Sequence, residues 1–316
     1  MNLSIIIVNW NSVAFLQKCL ASIYTDSCLP EGEVIIVDNA SFDGSEDLVR
    51  REFPQAKYIQ SHENLGFARA NNLGYTHSSG RTLLFLNPDT EVSPGALSQM
   101  VDQLWSTPQI GGVGCRLLNT DLSVQTTCLQ ALPTIWNQLF DSDYLKRVFP
   151  CWEMWGMRPL FTSEASSDDV QMISGACLMV KREAFEKVGL FSMEYFMYGD
   201  DVDLCYKIKH AGYVLRYVAT AEVIHHGGKS SSHVKSDHFA DVLIRDAIWV
   251  FVRKTRSPLY AAAYRVATAS AALGRVLVLL VLWPVTAPRI GSGPLSKWLA
   301  ILCWAFGARV PAPTSP

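Results

Sequence analysis

Two short acidic segments hold the side chains of this 316-residue chain best suited to chemistry. Asn87-Pro88-Asp89-Thr90 follows directly on the apolar run Thr82-Leu83-Leu84-Phe85-Leu86. A carboxylate at the end of a buried strand suits Mg2+ or Mn2+, which take oxygen ligands and share them with phosphates. Asn-Pro-Asp-Thr is also good turn chemistry by itself. The second segment, Gly199-Asp200-Asp201-Val202-Asp203-Leu204-Cys205, opens a helical pattern. Acids are favoured at a helix start by capping and by the macrodipole, and Asp200 is the natural cap. With Val202, Leu204 and Ile208 as the buried positions, Asp201 is left as a candidate general base.

Weaker signals surround these two. His225-His226-Gly227-Gly228 follows Val223-Ile224, so His225 can complete a metal's ligand set, touch phosphate, or be structural. The glycines would let backbone approach a ligand closely. Asn64-Leu65-Gly66-Phe67-Ala68-Arg69-Ala70-Asn71-Asn72 places Gly66, Arg69 and Asn71 on the first turns of a helix, where anions are favoured. A solvated helix face would look the same. Asp38 can accept hydrogen bonds from a nucleobase imide or a ribose hydroxyl, or end its strand in a turn with Asn39. Trp152 and Trp155 lie in an aromatic middle region, 120–168, where they can stack on sugar faces or form a small core under loops.

The elements that must position these residues alternate. Strand 3–8 leads to a helix capped at Asn11 or Ser12. Strand 33–37 ends at Asp38, Ser45 caps a helix over 45–53, and a short strand covers 57–59. A helix over 66–78 precedes strand 82–86, and Ser93-Pro94 opens the next helix. This rhythm predicts an α/β fold with a mostly parallel sheet and helices on both faces. Ligands bind such sheets beyond the carboxyl ends of the strands, where Asn9-Trp10-Asn11, Asp38-Asn39 and Asn87-Pro88-Asp89 all fall. Further on, a strand over 170–180 containing Ser174-Gly175, helices over 181–188 and 200–211, and a strand-like 213–218 are expected.

Hydrophobic residues make up 49% of the chain, enough for a substantial core, and the formal net charge is −2. The charge is unevenly spread. Eight of the 27 basic residues and none of the 29 acidic ones follow Asp246. That tail is also apolar, above all in Val276 to Trp283 and Trp298 to Phe306. A spanning helix needs about 20 mostly apolar residues, and 266–285 reaches that length only with Arg275 near its middle. The pattern favours a helix in the bilayer interface with basic side chains facing headgroups, over a helical hairpin packed on the body. Three parts are expected: 1–120, 121–246 and a basic, apolar helical tail, 247–316. The Pro-rich end, Pro311 to Pro316, reads as frayed.

Met1-Asn2 running straight into Leu3 to Val8 reads as the start of a buried strand rather than a targeting signal, and eight cysteines without CxxC or zinc-type spacing suggest reduced core thiols of a cytosolic protein. A glycine-free Val8-Asn9-Trp10-Asn11-Ser12 argues against a dinucleotide-dependent oxidoreductase, and no Walker-type loop supports phosphoryl transfer. No nucleic-acid partner is expected.

Taken together, Val8-Asn9-Trp10-Asn11, Val37-Asp38-Asn39-Ala40-Ser41, Asn64-Leu65-Gly66-Phe67, Asn87-Pro88-Asp89, Ser174-Gly175-Ala176 and Gly199 to Cys205 resemble the family 2 glycosyltransferases. Within these the chain resembles bacterial rhamnosyltransferase-like enzymes of cell-surface polysaccharide synthesis. The likeness runs over about 1–230. It implies the GT-A fold, a divalent cation and inversion at the anomeric carbon. It also implies a dTDP-, UDP- or GDP-linked sugar donor and a glycan or polyprenyl-linked acceptor at the cytoplasmic face of the plasma membrane. By the same likeness Asp38 faces the nucleobase, Asp89 the metal, Asp201 the acceptor hydroxyl and His225 the metal or diphosphate. Asn9, Asn11, Asn39, Gly66, Arg69, Asn71 and Asn87 would complete the donor side, with Asp200, Trp152 and Trp155 on the acceptor side. Two departures stand out: Asn87 occupies the first position of an Asp-x-Asp metal motif, and Asp200-Asp201 replaces a Glu-Asp pair. A non-catalytic carbohydrate-binding or membrane-scaffold protein would share the fold but has no use for the acids.

Overall fold

A computed structural model describes residues 3–28, 31–161, 168–227, 238–290 and 293–308. Gly228 and the Pro-rich end at 311–316 lie outside them. The chain divides into two compact units.

The first unit holds Met1–Leu132, Phe149–Phe196 and Asp200–His233. Its strands are β1 (Leu3–Asn9), β2 (Gly32–Asp38), β3 (Lys57–Gln60), β4 (Thr82–Leu86), β5 (Thr90–Val92) and β6 (Ile110–Leu118). They are followed by β7 (Leu129–Gln130), β8 (Asp169–Val170), β9 (Met172–Ile173), β10 (Cys177–Lys181) and β11 (Val214–His225). The main sheet runs β3-β2-β1-β4-β10-β6-β11-β5, with β8 on β11 and β7 paired to β9 separately. β1, β2, β3 and β4 are parallel, as are β6 and β11, while β10 inserts antiparallel between β4 and β6. The middle strands are buried at every position in β4 and β10, so both faces of the sheet are covered.

Helices α1 (Val13–Tyr24), α2 (Ser45–Glu52), α3 (Gly66–Thr76) and α4 (Ala96–Trp105) connect the early strands. The predicted elements are present, with differences at their starts. Ser12 flanks α1, but its hydroxyl turns back to the Trp10 carbonyl, and the Val13 N–H is met by Asp43 Oδ2 at 3.0 Å. Asp43 Oδ1 likewise accepts the Ser45 N–H at 3.1 Å. One carboxylate therefore serves two helix N-termini, and Ser45 is the first residue of α2 rather than its cap. Ser93-Pro94 forms a turn before α4. Gly95, at φ +76, turns the chain into the helix, and Asp26 Oδ2 accepts its N–H at 3.0 Å.

The continuous strand expected over 170–180 is instead three pieces. Ser174-Gly175-Ala176 interrupts the ladder, and the free N–H of Gly175 is used by a side chain described below. β11 is longer than expected and runs to His225. Among the cysteines, Cys19, Cys115, Cys128, Cys177 and Cys205 are buried, whereas Cys28, Cys151 and Cys303 are exposed. The three exposed thiols lie outside the sheet core, in connections and the tail.

The second unit comprises Pro133–Val148, Met197–Gly199 and Val234–Pro316. Its helices are α5 (Ile135–Leu139), α6 (Asp143–Val148), α9 (Phe239–Thr255), α10 (Pro258–Ile290) and α11 (Gly293–Ala305); α7 (Arg182–Lys187) and α8 (Asp200–His210) belong to the first unit. Trp304 and Tyr264 are fully buried where α11 meets α10, and Trp304 donates to Asp246 of α9. Pro258–Leu282 is long and apolar enough to cross a membrane. Leu259, Val266, Leu277, Val278 and Val281 on α10 are exposed.

Candidate active site

The site grows from the C-terminal ends of β1, β2 and β4. At β1, Asn9 is fully buried, and its amide donates to Asp38 Oδ2 at 2.8 Å and Ser45 Oγ at 3.0 Å. Asp38, also buried, accepts from the Ser41 N–H and from Gln60 Nε2, each at 2.8 Å on Oδ1. These bonds let the pair organise the 39–45 loop. Asn11 sits at φ +49 with its backbone N–H on Ser41 Oγ. Ala40 and Phe42 are also left-handed, at φ +63 and +51. A non-glycine run of this kind persists only where surrounding contacts over-determine it, which the Asn9–Asp38–Ser41 bonds do.

Asn39 is buried and grips the next loop: its amide donates to Asn64 Oδ1 at 2.7 Å and its oxygen accepts the Leu65 N–H at 2.8 Å. Gly66 follows at φ +74, where a Cβ would lie 2.4 Å from the Phe196 carbonyl oxygen. Glycine is required there for both reasons. Arg69 is exposed on the first turns of α3. Asn71 does not face a ligand. It is buried, and its amide bonds the Phe67 carbonyl one turn back at 3.0 Å, because its helix position points inward between Ala68 and Ala70 on the packed side of α3.

Asp89, past the end of β4, is completely buried, and neither carboxylate oxygen has a hydrogen-bond partner. β11 pairs antiparallel with β5 in the register His225 to Thr90, which carries His225 Nε2 to 3.4 Å from Asp89 Oδ1. Asn87 Nδ2 lies 3.5 Å from the same nitrogen. Burial works against the Asp89 charge, yet the imidazole beside it holds the carboxyl below its ordinary range. A buried ionised carboxylate with no donor on either oxygen is costly unless a cation meets it. Asp89 and His225 therefore fit a divalent cation, with oxygen and imidazole nitrogen as donors. The neighbouring histidine is otherwise engaged: His226 Nε2 contacts Glu91 Oε1 at 2.7 Å.

Asp200 and Asp201 open α8. Asp201 Oδ2 accepts the Gly175 N–H at 2.9 Å, and Oδ1 accepts the Val202 N–H at 2.8 Å. Burial raises the Asp201 carboxyl, and these two N–H donors oppose that rise. Asp200 is buried with Oδ2 unpartnered; burial and then the adjacent Asp201 charge push its carboxyl up to about 8. Gly175 and Val202 donate to Asp201, whereas Asp200 Oδ2 has no donor. Asp203, the third acid, is a structural anchor: Ser192 Oγ donates to it at 2.6 Å and Lys207 Nζ lies at 3.2 Å.

The loop bearing Asp89 and the start of α8 bearing Asp201 are joined through the break between β9 and β10. Asn87 donates its N–H to the Ala176 carbonyl at 2.9 Å, and the preceding residue, Gly175, holds Asp201. Two hydrogen bonds, each 2.9 Å, and the Gly175-Ala176 dipeptide separate Asp201 Oδ2 from the Asn87 backbone nitrogen. In the aromatic middle region, Trp155 is buried with its ring N–H on the Phe149 carbonyl at 3.1 Å, so it packs a small aromatic core. Trp152 stacks on Phe149 at 4.6 Å and remains 45% exposed, which leaves it as the ring able to meet a sugar face. Gly175, Asp43, Ser41 and Gln125 were without an assigned role in the sequence. Only Gly175 had a signal, a glycine inside an apolar strand pattern.

The family description Glycosyl transferase family 2 matches residues 4–189, more than half of the chain. The chain belongs to glycosyl transferase family 2. Among curated relatives of this family member, an N-acetylglucosaminyl-diphospho-decaprenol L-rhamnosyltransferase of Mycobacterium tuberculosis is 29% identical over 255 residues, covering 75% of this chain and 80% of the relative. The low-salt glycan biosynthesis hexosyltransferase Agl10 of Haloferax volcanii is 25% identical, over 75% and 71% of the two chains. Among solved structures, the mannosyltransferase PcManGT from Pyrobaculum calidifontis in complex with GDP-Man and Mn2+ superposes with a TM-score of 0.58 at 18% identity, covering 96% of this chain and 85% of that one. S. aureus TarS 1-349 in complex with UDP-GlcNAc gives 0.56 at 15% identity, over 98% and 82%. These likenesses establish a GT-A glycosyltransferase fold for the sheet unit.

Proposed function

We propose that this glycosyltransferase inverts the anomeric carbon of a nucleoside-diphosphate sugar, with rhamnose as the best-supported sugar, and transfers it to a lipid-linked glycan in cell-surface polysaccharide synthesis. The observation that carries the reading is the Ser174-Gly175-Ala176 link, which fixes one unshared carboxylate, Asp201, to the loop that bears Asp89. The rhamnosyltransferase relative supports the sugar and the polyprenyl-linked acceptor. dTDP-rhamnose is favoured over UDP- and GDP-linked donors on that likeness.

Asp89 and His225 would hold Mg2+ or Mn2+, which when bound neutralises charge on a departing diphosphate. Arg69, exposed at the start of α3, adds a guanidinium to the same anion. Asp201 takes the proton from the acceptor hydroxyl as that oxygen bonds to the anomeric carbon. The bond from this carbon to the diphosphate oxygen breaks, and the nucleoside diphosphate leaves with the electron pair. Asp200, holding its own proton, keeps a second negative charge from building beside the base. Asn9, Asp38 and Asn39 act by holding the 39–45 and 64–66 loops in shape for the donor.

In the helical unit, Arg245 and Arg275 line one cleft with Tyr264 and Trp298, and the exposed face of α10 is aliphatic. Basic and apolar groups together suit an anionic lipid surface. This supports a peripheral position on the cytoplasmic face of the plasma membrane. The function is tested by assaying nucleoside diphosphate release from a panel of dTDP-, UDP- and GDP-sugars, with and without Mg2+ or Mn2+. Cation-dependent release that requires a lipid-linked glycan supports it; a panel with no release under any condition contradicts it.

A further inference from the structure

Outside the residues already discussed, one chain of side chains runs from the surface to the candidate metal ligand. His225 Nδ1 lies 2.7 Å from Gln125 Oε1. Gln125 Nε2 donates to Asn119 Oδ1 at 3.1 Å, Asn119 Nδ2 donates to Ser123 Oγ at 3.0 Å, and Ser123 Oγ donates to Asp121 Oδ1 at 2.6 Å. The chain has a direction because of its last member. Asp121 is exposed and, held ionised by the Ser123 hydroxyl and N–H, can only accept. The Ser123 hydroxyl must therefore spend its proton on Asp121 and present lone pairs to Asn119. That turns the Asn119 oxygen toward Gln125, and the Gln125 oxygen toward His225. An oxygen there demands a proton on Nδ1, so Nε2, 3.4 Å from Asp89 Oδ1, is the ring nitrogen at which a cation can take the place of a proton.

The backbone builds the scaffold for this chain. Gln125 is held by its N–H on the Leu117 carbonyl at 2.8 Å, and the 119–123 turn closes with Asn119 N–H on the Ser123 carbonyl at 2.8 Å. Leu122 takes φ +63 at the turn's apex and is exposed, so nothing but the turn geometry requires that strained conformation.

We infer that Gln125 is a positioning residue, oriented by Asp121 through Ser123 and Asn119, that fixes His225 as the Nδ1–H tautomer and so presents Nε2 as a ligand beside Asp89. The inference rests on the proposed metal role of His225, but its first readout does not use metal. An oriented partner on the second ring nitrogen is what tunes a ligating histidine, and its loss typically lowers metal affinity 10- to 100-fold.

The test is 15N NMR of the His225 ring in the metal-free protein, paired with Mn2+ affinity by EPR, in wild type, Gln125→Met, Gln125→Glu and Asp121→Asn. Wild type should show protonated Nδ1. Gln125→Met should populate the Nε2–H tautomer and weaken Mn2+ binding about 10- to 100-fold. Gln125→Glu, which keeps an acceptor at the same place, should retain the Nδ1 proton and most of the affinity. Asp121→Asn, on an exposed turn, should mix the tautomers, because its amide can donate as well as accept. An unchanged Nδ1–H ring with Mn2+ affinity within twofold of wild type in Gln125→Met overturns the inference. If that variant does not fold, Asp121→Asn decides it by the same two readouts. Should no protein form bind Mn2+ while the tautomer shifts as expected, the positioning role stands and the metal role of His225 falls.

Discussion

Gly175 donates its backbone N–H to Asp201 Oδ2 at 2.9 Å, and a Cβ built on that glycine would come 3.2 Å from the Asp201 Cβ. The contact is tighter than side chains normally tolerate, so the segment that interrupts the strand also sets how closely Asp201 approaches the sheet. A bond from the main chain cannot rotate away as a side-chain donor could, which fixes the carboxylate's position at low entropic cost.

Gly175→Ala should therefore shift Asp201 by a few tenths of an ångström and lower kcat by about 10- to 100-fold, since small misplacements of a catalytic group are expensive. The donor KM should change little, because Asn87 and Ala176 keep their backbone bond. Steady-state kinetics with saturating acceptor separate the two parameters. A variant with wild-type kcat would show that Asp201 tolerates the displacement.

The Asp200 carboxyl gives a pH dependence with a definite sign. Its folded value, about 8, lies above the ordinary aspartate value of 3.8, so the native state binds the proton more tightly than the unfolded chain. The associated stability is full at pH below 3.8 and is lost as pH rises through 8. Asp200→Asn removes that titration. Between pH 5 and 8 the slope of stability against pH should be less negative than in wild type by up to about 1.4 kcal/mol per pH unit. Denaturant unfolding across that range measures it, and parallel slopes would contradict the protonated assignment.

Asp89 predicts a response to metal that needs no substrate. Mn2+ at 100 times its dissociation constant should raise wild-type stability by about 2.7 kcal/mol. Asp89→Ala should lose most of that increment, because it removes the carboxylate that would meet the cation. Thermal melts with and without Mn2+ decide this. Equal metal stabilisation in both proteins would place the cation elsewhere.

The helical unit predicts salt-sensitive membrane binding. The full chain should cosediment with vesicles containing anionic lipid, and less with neutral ones or at high salt. Val278→Asp with Val281→Asp, both on the exposed face of α10, should reduce binding at least 10-fold without loss of the sheet unit's fold. Wild-type binding by the double variant would favour a purely electrostatic contact.

Much of the fold was legible in the chain because its strands are short apolar runs between turn residues. Thr82 to Leu86 and Leu3 to Val8 could be read on hydrophobicity alone, and the clustering of Asn9, Asp38 and Asp89 at one sheet edge followed from the strand ends. The buried roles of those polar groups were not legible. Asn9 meets Ser45 across 36 positions of sequence, and His225 meets Gln125 across 100. No local period encodes such partners. The run from Val170 to Val180 misled for a related reason: its hydrophobicity is continuous, while the break at Ser174-Gly175-Ala176 is imposed by Asp201 and Asn87 from elsewhere in the chain. Asn71 looked polar and available on α3 but faces inward, where its own helix satisfies it.

The account depends most on Asp201 acting as the base for an acceptor hydroxyl. The direct measurement is the turnover of Asp201→Asn at saturating donor, metal and acceptor, with donor affinity determined on the same sample. Asparagine preserves the shape and can still accept the Gly175 N–H, but it cannot take a proton. Turnover should fall by about 10²- to 10⁴-fold with donor affinity within a few-fold of wild type. Turnover equal to that of the unaltered enzyme would contradict the assignment.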